Sequence, residues 1–311
     1  MAKRALLFPG QGAQKVGMSL DFAQNCPEAA GLFELADRAS GLPISKLIAE
    51  GPAEALTDTA VSQPALVLAG LAALAFFEKT HGQAQPVAAA GLSLGEYAAL
   101  AAAGALTPEE ALRLVSIRGR FMKECCEAVP GTMASVLGLA AGKVEECAKE
   151  ASAVGVVVAA NFNSPEQTVL SGEARAVEKA CELVKAAGAK RAIPLKVAGA
   201  FHSPLMQKAA DKLAPELEKA EVRAPRYPVV ANCTGEAVSD PAAIRAALIA
   251  QVTAPVRWTK SLQTCQTMGA DEFLELGPGG VLTGLVGRTL KDVKATSLPS
   301  AEAVAKYAPP A

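Results

Sequence analysis

The segment Gly91-Leu92-Ser93-Leu94-Gly95 sets a serine between two glycines in a G-x-S-x-G pattern. A strand-like run, residues 87–90, precedes it and a helical run, residues 96–100, follows. Strand, tight turn and helix are the context of a nucleophile elbow, where glycines remove Cβ atoms as the chain turns back on itself. The serine oxygen then stands near a helix N-terminus, whose free N–H groups favour developing negative charge. The alternative is a structural turn with a capping serine. A serine nucleophile needs a proton acceptor, usually histidine, and the chain has only two. His81 lies before Gly82 at what reads as a helix end, where favourable interaction with the terminal carbonyls explains it. His202 lies in Ala200-Phe201-His202-Ser203-Pro204, a turn-rich segment where nothing local explains a histidine. His202 is therefore the expected base. A hydrolase triad would add a carboxylate between serine and histidine in chain order. The Asp and Glu residues of that interval read as solvated faces of amphipathic helices, so a neutral acceptor such as a backbone carbonyl is an alternative way to orient the ring.

The elements that must position these groups alternate. Residues 4–8 read as a buried strand ending in Pro9-Gly10-Gln11-Gly12, 64–79 as a long buried helix, 86–90 as a strand and 95–103 as the elbow helix. Thr107 is a good N-cap, with Pro108 at the first helical position and Glu110 three residues on, for a helix running to about residue 128. This alternation predicts a mostly parallel α/β sheet. Residues 131–139, 142–153, 154–161, 167–171, 174–187 and 190–197 read as β-α-β-β-α-β, the ferredoxin-like pattern. The expected division is a larger subdomain of residues 1–129 and 199–311, with a smaller inserted one at 130–198. The α/β pattern then resumes with a helix at 205–220, a strand at 227–232, a helix at 242–251, a strand at 271–276 entering Gly277-Pro278-Gly279-Gly280, and a helix from 281. Residues 307–311 read as frayed.

Composition narrows the function classes. The 311 residues are 51% hydrophobic and 20% charged with a formal net charge of −1, which argues against a nucleic-acid partner or a polybasic membrane surface. The nearest candidate for a membrane span, residues 65–77, is too short and is flanked by Pro64 and Glu78. Seven cysteines without paired spacing and no C-x-x-C argue against disulfides and zinc. Two histidines nearly exclude a multi-histidine metal site, so neither metal nor cofactor is expected. The N-terminus lacks the apolar stretch of a secretory signal, and a reducing compartment is expected. Gly10-Gln11-Gly12 lacks the third glycine of a dinucleotide fingerprint, no G-x-x-x-x-G-K-[ST] occurs, and Gly277–Gly280 reads as a turn.

Taken in order, these residues resemble the malonyl-CoA:acyl carrier protein transacylases of type II fatty acid synthesis. Phe8-Pro9-Gly10-Gln11-Gly12-Ala13-Gln14 is similar to that family's F-P-G-Q-G-[AS]-Q, Ser62-Gln63-Pro64-Ala65 to its Q-P-A, and the elbow with Glu96-Tyr97 to its G-H-S-L-G-E-Y. Arg118-Gly119-Arg120-Phe121-Met122 matches R-G-x-x-M, and Asn161 to Pro165 matches N-x-N-S-P. His202 falls in [FS]-H-[ST]-x-x-M, Gln251 to Trp258 in Q-x-x-x-P-V-x-W, and Glu275 to Leu282 in E-x-G-P-G-x-V-L. Leu92 departs from the usual histidine before the nucleophile; that position is not the base.

The resemblance implies an α/β-hydrolase-like core with a parallel sheet plus an inserted ferredoxin-like subdomain. It implies Ser93 as nucleophile and His202 as base, oriented by the side-chain carbonyl of Gln251. The backbone N–H groups of Gln11 and Leu94 would form the oxyanion hole. Arg118 would grip the substrate carboxylate, with Gln11, Asn161 and Phe201 also at the substrate. The partners implied are malonyl-CoA and an acyl carrier protein, with no nucleic acid, no membrane and a monomeric state. Gly-Leu-Ser-Leu-Gly leaves both a bacterial cytoplasm and a plastid stroma open. A serine thioesterase on the same elbow, or a non-catalytic carrier-docking module, are the competing functions. Lys185, Lys190, Arg191 and Lys196 lie on or beside the small subdomain and would suit an acidic carrier.

Overall fold

The computed structural model describes residues 3–308. Its larger sheet comprises β1 (Arg4–Phe8), β2 (Ala88–Gly91), β7 (Val229–Val230), β8 (Ala237–Val238), β9 (Glu272–Leu276) and β10 (Lys294–Leu298), of which β1, β2 and β7 are the short apolar runs. The order is β10-β9-β1-β2-β7-β8, parallel throughout except for the terminal β7–β8 pair. Such a sheet is buried on both faces. Leu6 and Phe8 of β1 join the core that contains helix Thr59–His81, whereas Ala5 and Leu7 face the core formed with Trp258, Leu262 and Leu285. The carboxyl ends of β1 and β2 therefore open at one edge, where ligands of open α/β sheets bind.

The smaller sheet comprises β3 (Thr132–Leu137), β4 (Val157–Ser164), β5 (Gln167–Gly172) and β6 (Arg191–Pro194). Its order is β4-β5-β3-β6, with every pair antiparallel. Helices Ala141–Ala151 and Ala174–Ala186 pack with this sheet in a core of their own. This is the ferredoxin-like arrangement expected from the element order. β4 is bulged on either side of Asn161–Phe162. There it reaches across to the larger half, where Val256 N–H donates to Ala160 C=O and Phe162 N–H donates to Val256 C=O, both at 2.8 Å.

Several expectations are corrected. The long helix begins at Thr59 rather than at Pro64, because Asp58 caps it by accepting from Ala60 N–H at 2.9 Å; Pro64 lies inside. At 23 residues this helix is long and apolar enough to cross a membrane, contrary to the reading of the shorter run. Yet 83% of its most apolar window is buried inside this protein, which makes it a core helix. Helices Leu20–Asn25, Pro27–Ser40, Ile44–Glu50, Ala53–Thr57, Trp258–Thr267 and Ala301–Lys306, and strands β8 and β10, are additional to the elements expected from the sequence. Tyr307, read as frayed, is 7% exposed and donates to Glu272 Oε2 at 2.7 Å. Residues 309–311 lie outside the described range. His81 does end its helix, but its Nε2 lies 2.8 Å from Val304 C=O, on helix Ala301–Lys306, and its ring packs edge-on against Tyr307. The Gly277–Gly280 turn has its own anion: the buried Glu275 carboxylate accepts from the N–H groups of Gly280, Leu282 and Thr283. A phosphate would find that helix N-terminus already filled.

Candidate active site

Ser93 stands where β2 turns into helix Gly95–Ala102. The turn is tight enough to demand both glycines. A Cβ on Gly91 would lie 1.9 Å from Gly95 O, and one on Gly95 would lie 2.4 Å from Phe8 O. Ser93 itself has φ 54°, a left-handed conformation that costs a non-glycine residue about 1–3 kcal/mol. Its main chain is held by side chains. Ser93 N–H donates to Asn232 Oδ1 at 2.6 Å, and its C=O accepts from Gln251 Nε2 at 2.9 Å.

The hydroxyl of Ser93 lies 2.8 Å from His202 Nε2. His202 is 3% exposed, also at positive φ (55°), and its Nδ1 lies 2.8 Å from the backbone carbonyl of Gln251. A carbonyl only accepts, so Nδ1 carries the proton and Nε2 presents its lone pair to the serine O–H. Burial first, and the charge of Arg118 second, pull the His202 pKa down to about 4, which keeps the ring neutral. Gln251 therefore holds the histidine by its main chain, which corrects the expected side-chain carbonyl; its side chain is engaged elsewhere.

Arg118 comes from helix Pro108–Ala128, whose N-cap Thr107 accepts from Glu110 N–H at 3.1 Å as expected. Gly119 lets this helix close on helix Thr59–His81, since a Cβ there would lie 2.7 Å from Thr59 O. Arg118 is thereby 1% exposed. It donates to Gln63 Oε1 (2.6 Å), Gln251 Oε1 (2.9 Å) and the Ser93 hydroxyl (3.0 Å). Its Nε–H has no acceptor among the described residues. Burial lowers its pKa, opposed by Tyr97 and Glu96. Arg113 is committed to Glu110 and Glu216, and Arg120 is exposed, lying over Phe121.

Ser93, His202 and Arg118 open on one cavity of about 650 Å³, lined also by Gln11, Gln63, Asn161 and Phe201. Strands β3, β4 and β5 of the smaller sheet contribute to it, together with loops and helices of the larger half. The backbone N–H groups of Gln11, after β1, and of Leu94, at the elbow helix N-cap, have no acceptor among the described residues. Among the described residues no group of His, Cys, Asp and Glu could hold a metal.

Glu96, Asn232 and Gln63 were given no role by sequence reasoning. Glu96 lies between Ser93 and His202 in chain order and is 1% exposed, so it has no solvated face. It does not bond the histidine; its Oε2 accepts from Gln251 Nε2 (2.7 Å) and Asn232 N–H (3.1 Å). Burial pushes its pKa up to about 7 against those bonds and the Arg118 charge. The signal was present: every other residue of its helix is Gly, Tyr, Ala or Leu, leaving a carboxylate no outward face.

Residues 5–310 match the family model of the acyl transferase domain. The chain belongs to the acyl transferase family. It is similar to the malonyl CoA-acyl carrier protein transacylase of Escherichia coli K12, with 44% identity over 98% of this chain and 99% of that one. The namesake protein of Bacillus subtilis is 41% identical over 98% and 96%. Among solved structures, the malonyl CoA-acyl carrier protein transacylase of Coxiella burnetii superposes with a TM-score of 0.93 at 38% identity, covering 97% of this acyl transferase and 96% of that chain. A malonyl-transacylase in complex with a type II PKS acyl-carrier protein matches with a TM-score of 0.93 at 40% identity, over 97% and 98%.

Proposed function

We infer that this acyl transferase moves a malonyl group from malonyl-CoA to the thiol of an acyl carrier protein, supplying fatty acid synthesis. The observation that carries this reading is a serine–histidine pair in one cavity with a buried guanidinium. His202 Nε2 takes the Ser93 proton as Oγ attacks the thioester carbonyl. The N–H groups of Gln11 and Leu94 receive the oxyanion. The tetrahedral adduct collapses, the C–S bond breaks, and His202 returns the proton to the departing CoA sulfur, leaving a malonyl ester on Ser93. The carrier thiol reverses these steps: its proton passes to His202, its sulfur attacks the ester, and Ser93 leaves with the proton. Arg118 offers a planar fork to the malonyl carboxylate, while Asn161 and Phe201 shape the remaining wall. The division into residues 1–129 with 199–311 and residues 130–198 places Ser93 and Arg118 on one part and brings His202 in on the return from the other. The relatives named above are bacterial, which favours a bacterial cytoplasm over a plastid stroma. Intact-protein mass spectrometry after mixing with malonyl-CoA tests the reading: a stable malonyl adduct, lost in Ser93→Ala, is expected. Free malonate without an adduct would indicate hydrolysis instead.

A further inference from the structure

A strained serine with both main-chain groups gripped by side-chain amides raises the question of what orients the amides. Each amide has nearly the same shape either way round, so only its partners select the orientation. Asn232 is set by Ser93 N–H on one side and by Gly91 C=O, which accepts from Nδ2 at 2.7 Å, on the other. Gln251 is set differently. Its Nε2 meets Ser93 C=O and the Glu96 carboxylate, and its Oε1 meets Arg118. In its ionised form Glu96 only accepts, so together with Ser93 C=O it selects the NH2 end and leaves the oxygen toward the guanidinium. The same carboxylate oxygen accepts from the main-chain N–H of Asn232, so it ties the Gln251 amide to the backbone that carries Asn232.

We propose that Glu96 is a positioning residue: its carboxylate holds the Gln251 amide with its oxygen toward Arg118, and so sets where the guanidinium stands relative to Ser93. Glu96 and Arg118 are buried opposite charges joined through one neutral amide rather than in direct contact. Direct pairing would occupy the fork that a substrate carboxylate needs. Bridged pairing anchors one edge of the guanidinium and keeps the rest available. This deepens the malonyl-transfer reading and rests on it.

The test compares wild type, Glu96→Ala, Glu96→Gln and Gln251→Met, with Tm measured for each. The readout is the ratio of malonyl-CoA to acetyl-CoA kcat/KM, since acetyl has no carboxylate for Arg118 to hold. In Glu96→Ala the ratio falls about tenfold, the size of one lost charge-assisted hydrogen bond, chiefly through the malonyl KM. Glu96→Gln keeps an acceptor oxygen and restores most of the ratio. Gln251→Met removes the bridge and reproduces the fall, which decides the matter should Glu96→Ala fail to fold. A merely structural Glu96 would lower both substrates together. An unchanged ratio in folded Glu96→Ala or in Gln251→Met overturns the proposal, as does a Glu96→Gln variant no better than Glu96→Ala. Failure of the wild type to form a malonyl adduct would instead overturn the functional reading beneath it.

Discussion

The Arg118 guanidinium donates a hydrogen bond to the Ser93 hydroxyl at 3.0 Å. The group proposed to hold the substrate carboxylate thus also touches the proposed nucleophile. Arg118→Ala removes both effects. Malonyl kcat/KM should fall by at least about 100-fold, as for other buried charge partners lost, while acetyl transfer, which loses only the contact with Ser93, falls far less. Equal losses with both acyl-CoA substrates would show that the carboxylate is recognised elsewhere.

His202, held neutral down to about pH 4, should remain a competent base well below the ordinary histidine range. Acylation should be level from neutral pH to about 5 and decline only beyond. Rapid-mixing rates across pH check this; a limb near 6.5 contradicts it.

Stability against pH has two opposed contributions. The unfolded chain protonates His202 near 6.5 while the fold resists to about 4, so acid costs stability across that window. Glu96 binds its proton near 7 when folded and near 4.5 when unfolded, so acid adds stability between those values. Glu96→Gln removes the second contribution. Its Tm should therefore drop more steeply than wild type between pH 6.5 and 4.5. Parallel Tm curves would refute the opposition.

Gly91→Ala should abolish folding, because its Cβ would sit 1.9 Å from backbone; the expected loss exceeds about 4 kcal/mol. Gly31→Ala, inside helix Pro27–Ser40 with open space around it, should instead stabilise by about 0.5–1 kcal/mol. Soluble yield and thermal melts of the two variants provide the comparison.

Lys185, Lys190, Arg191 and Lys196 are all exposed, and Lys196 lines the cavity. Lys190 has Glu166 at 3.9 Å, which offsets part of its charge. Reversing Arg191 and Lys196 should raise the carrier KM several-fold at low salt and less at high salt, as screening removes exposed attraction. A carrier KM indifferent to both changes would remove this face from consideration.

Much of this architecture is written in local pattern. β1 and the helix after Thr107 are read at their structural bounds because apolar runs and a side-chain cap mark them. The elbow is legible because only glycine tolerates its backbone contacts. The helices between residues 20 and 57 are not, since three of the four have Cys26, Pro43 and Pro52 at the N-cap and none of the four has a side-chain cap. Arg118 was visible only through resemblance: an arginine on an amphipathic helix reads as solvated, and Gly119 is what lets the crossing bury it. A backbone carbonyl holding His202 was among the sequence readings, but that Gln251 supplies it could not be read, because every residue type offers the same carbonyl.

His202 follows β6, on the way back from the smaller sheet, whereas Ser93 follows β2 in the larger one. Ser171 on β5 donates to Phe201 C=O at 2.6 Å, and Gly199 abuts Cys126, where a Cβ would lie 2.4 Å from sulfur. A growing chain therefore makes its serine 109 residues before its histidine, and the carbonyl that fixes the histidine 49 residues later still. Until the smaller sheet has closed and the chain has returned, Ser93 is an ordinary alcohol. The reactivity toward thioesters proposed for Ser93 is thus acquired late in synthesis, as a property of the assembled molecule, so fragments released early carry the serine without that chemistry.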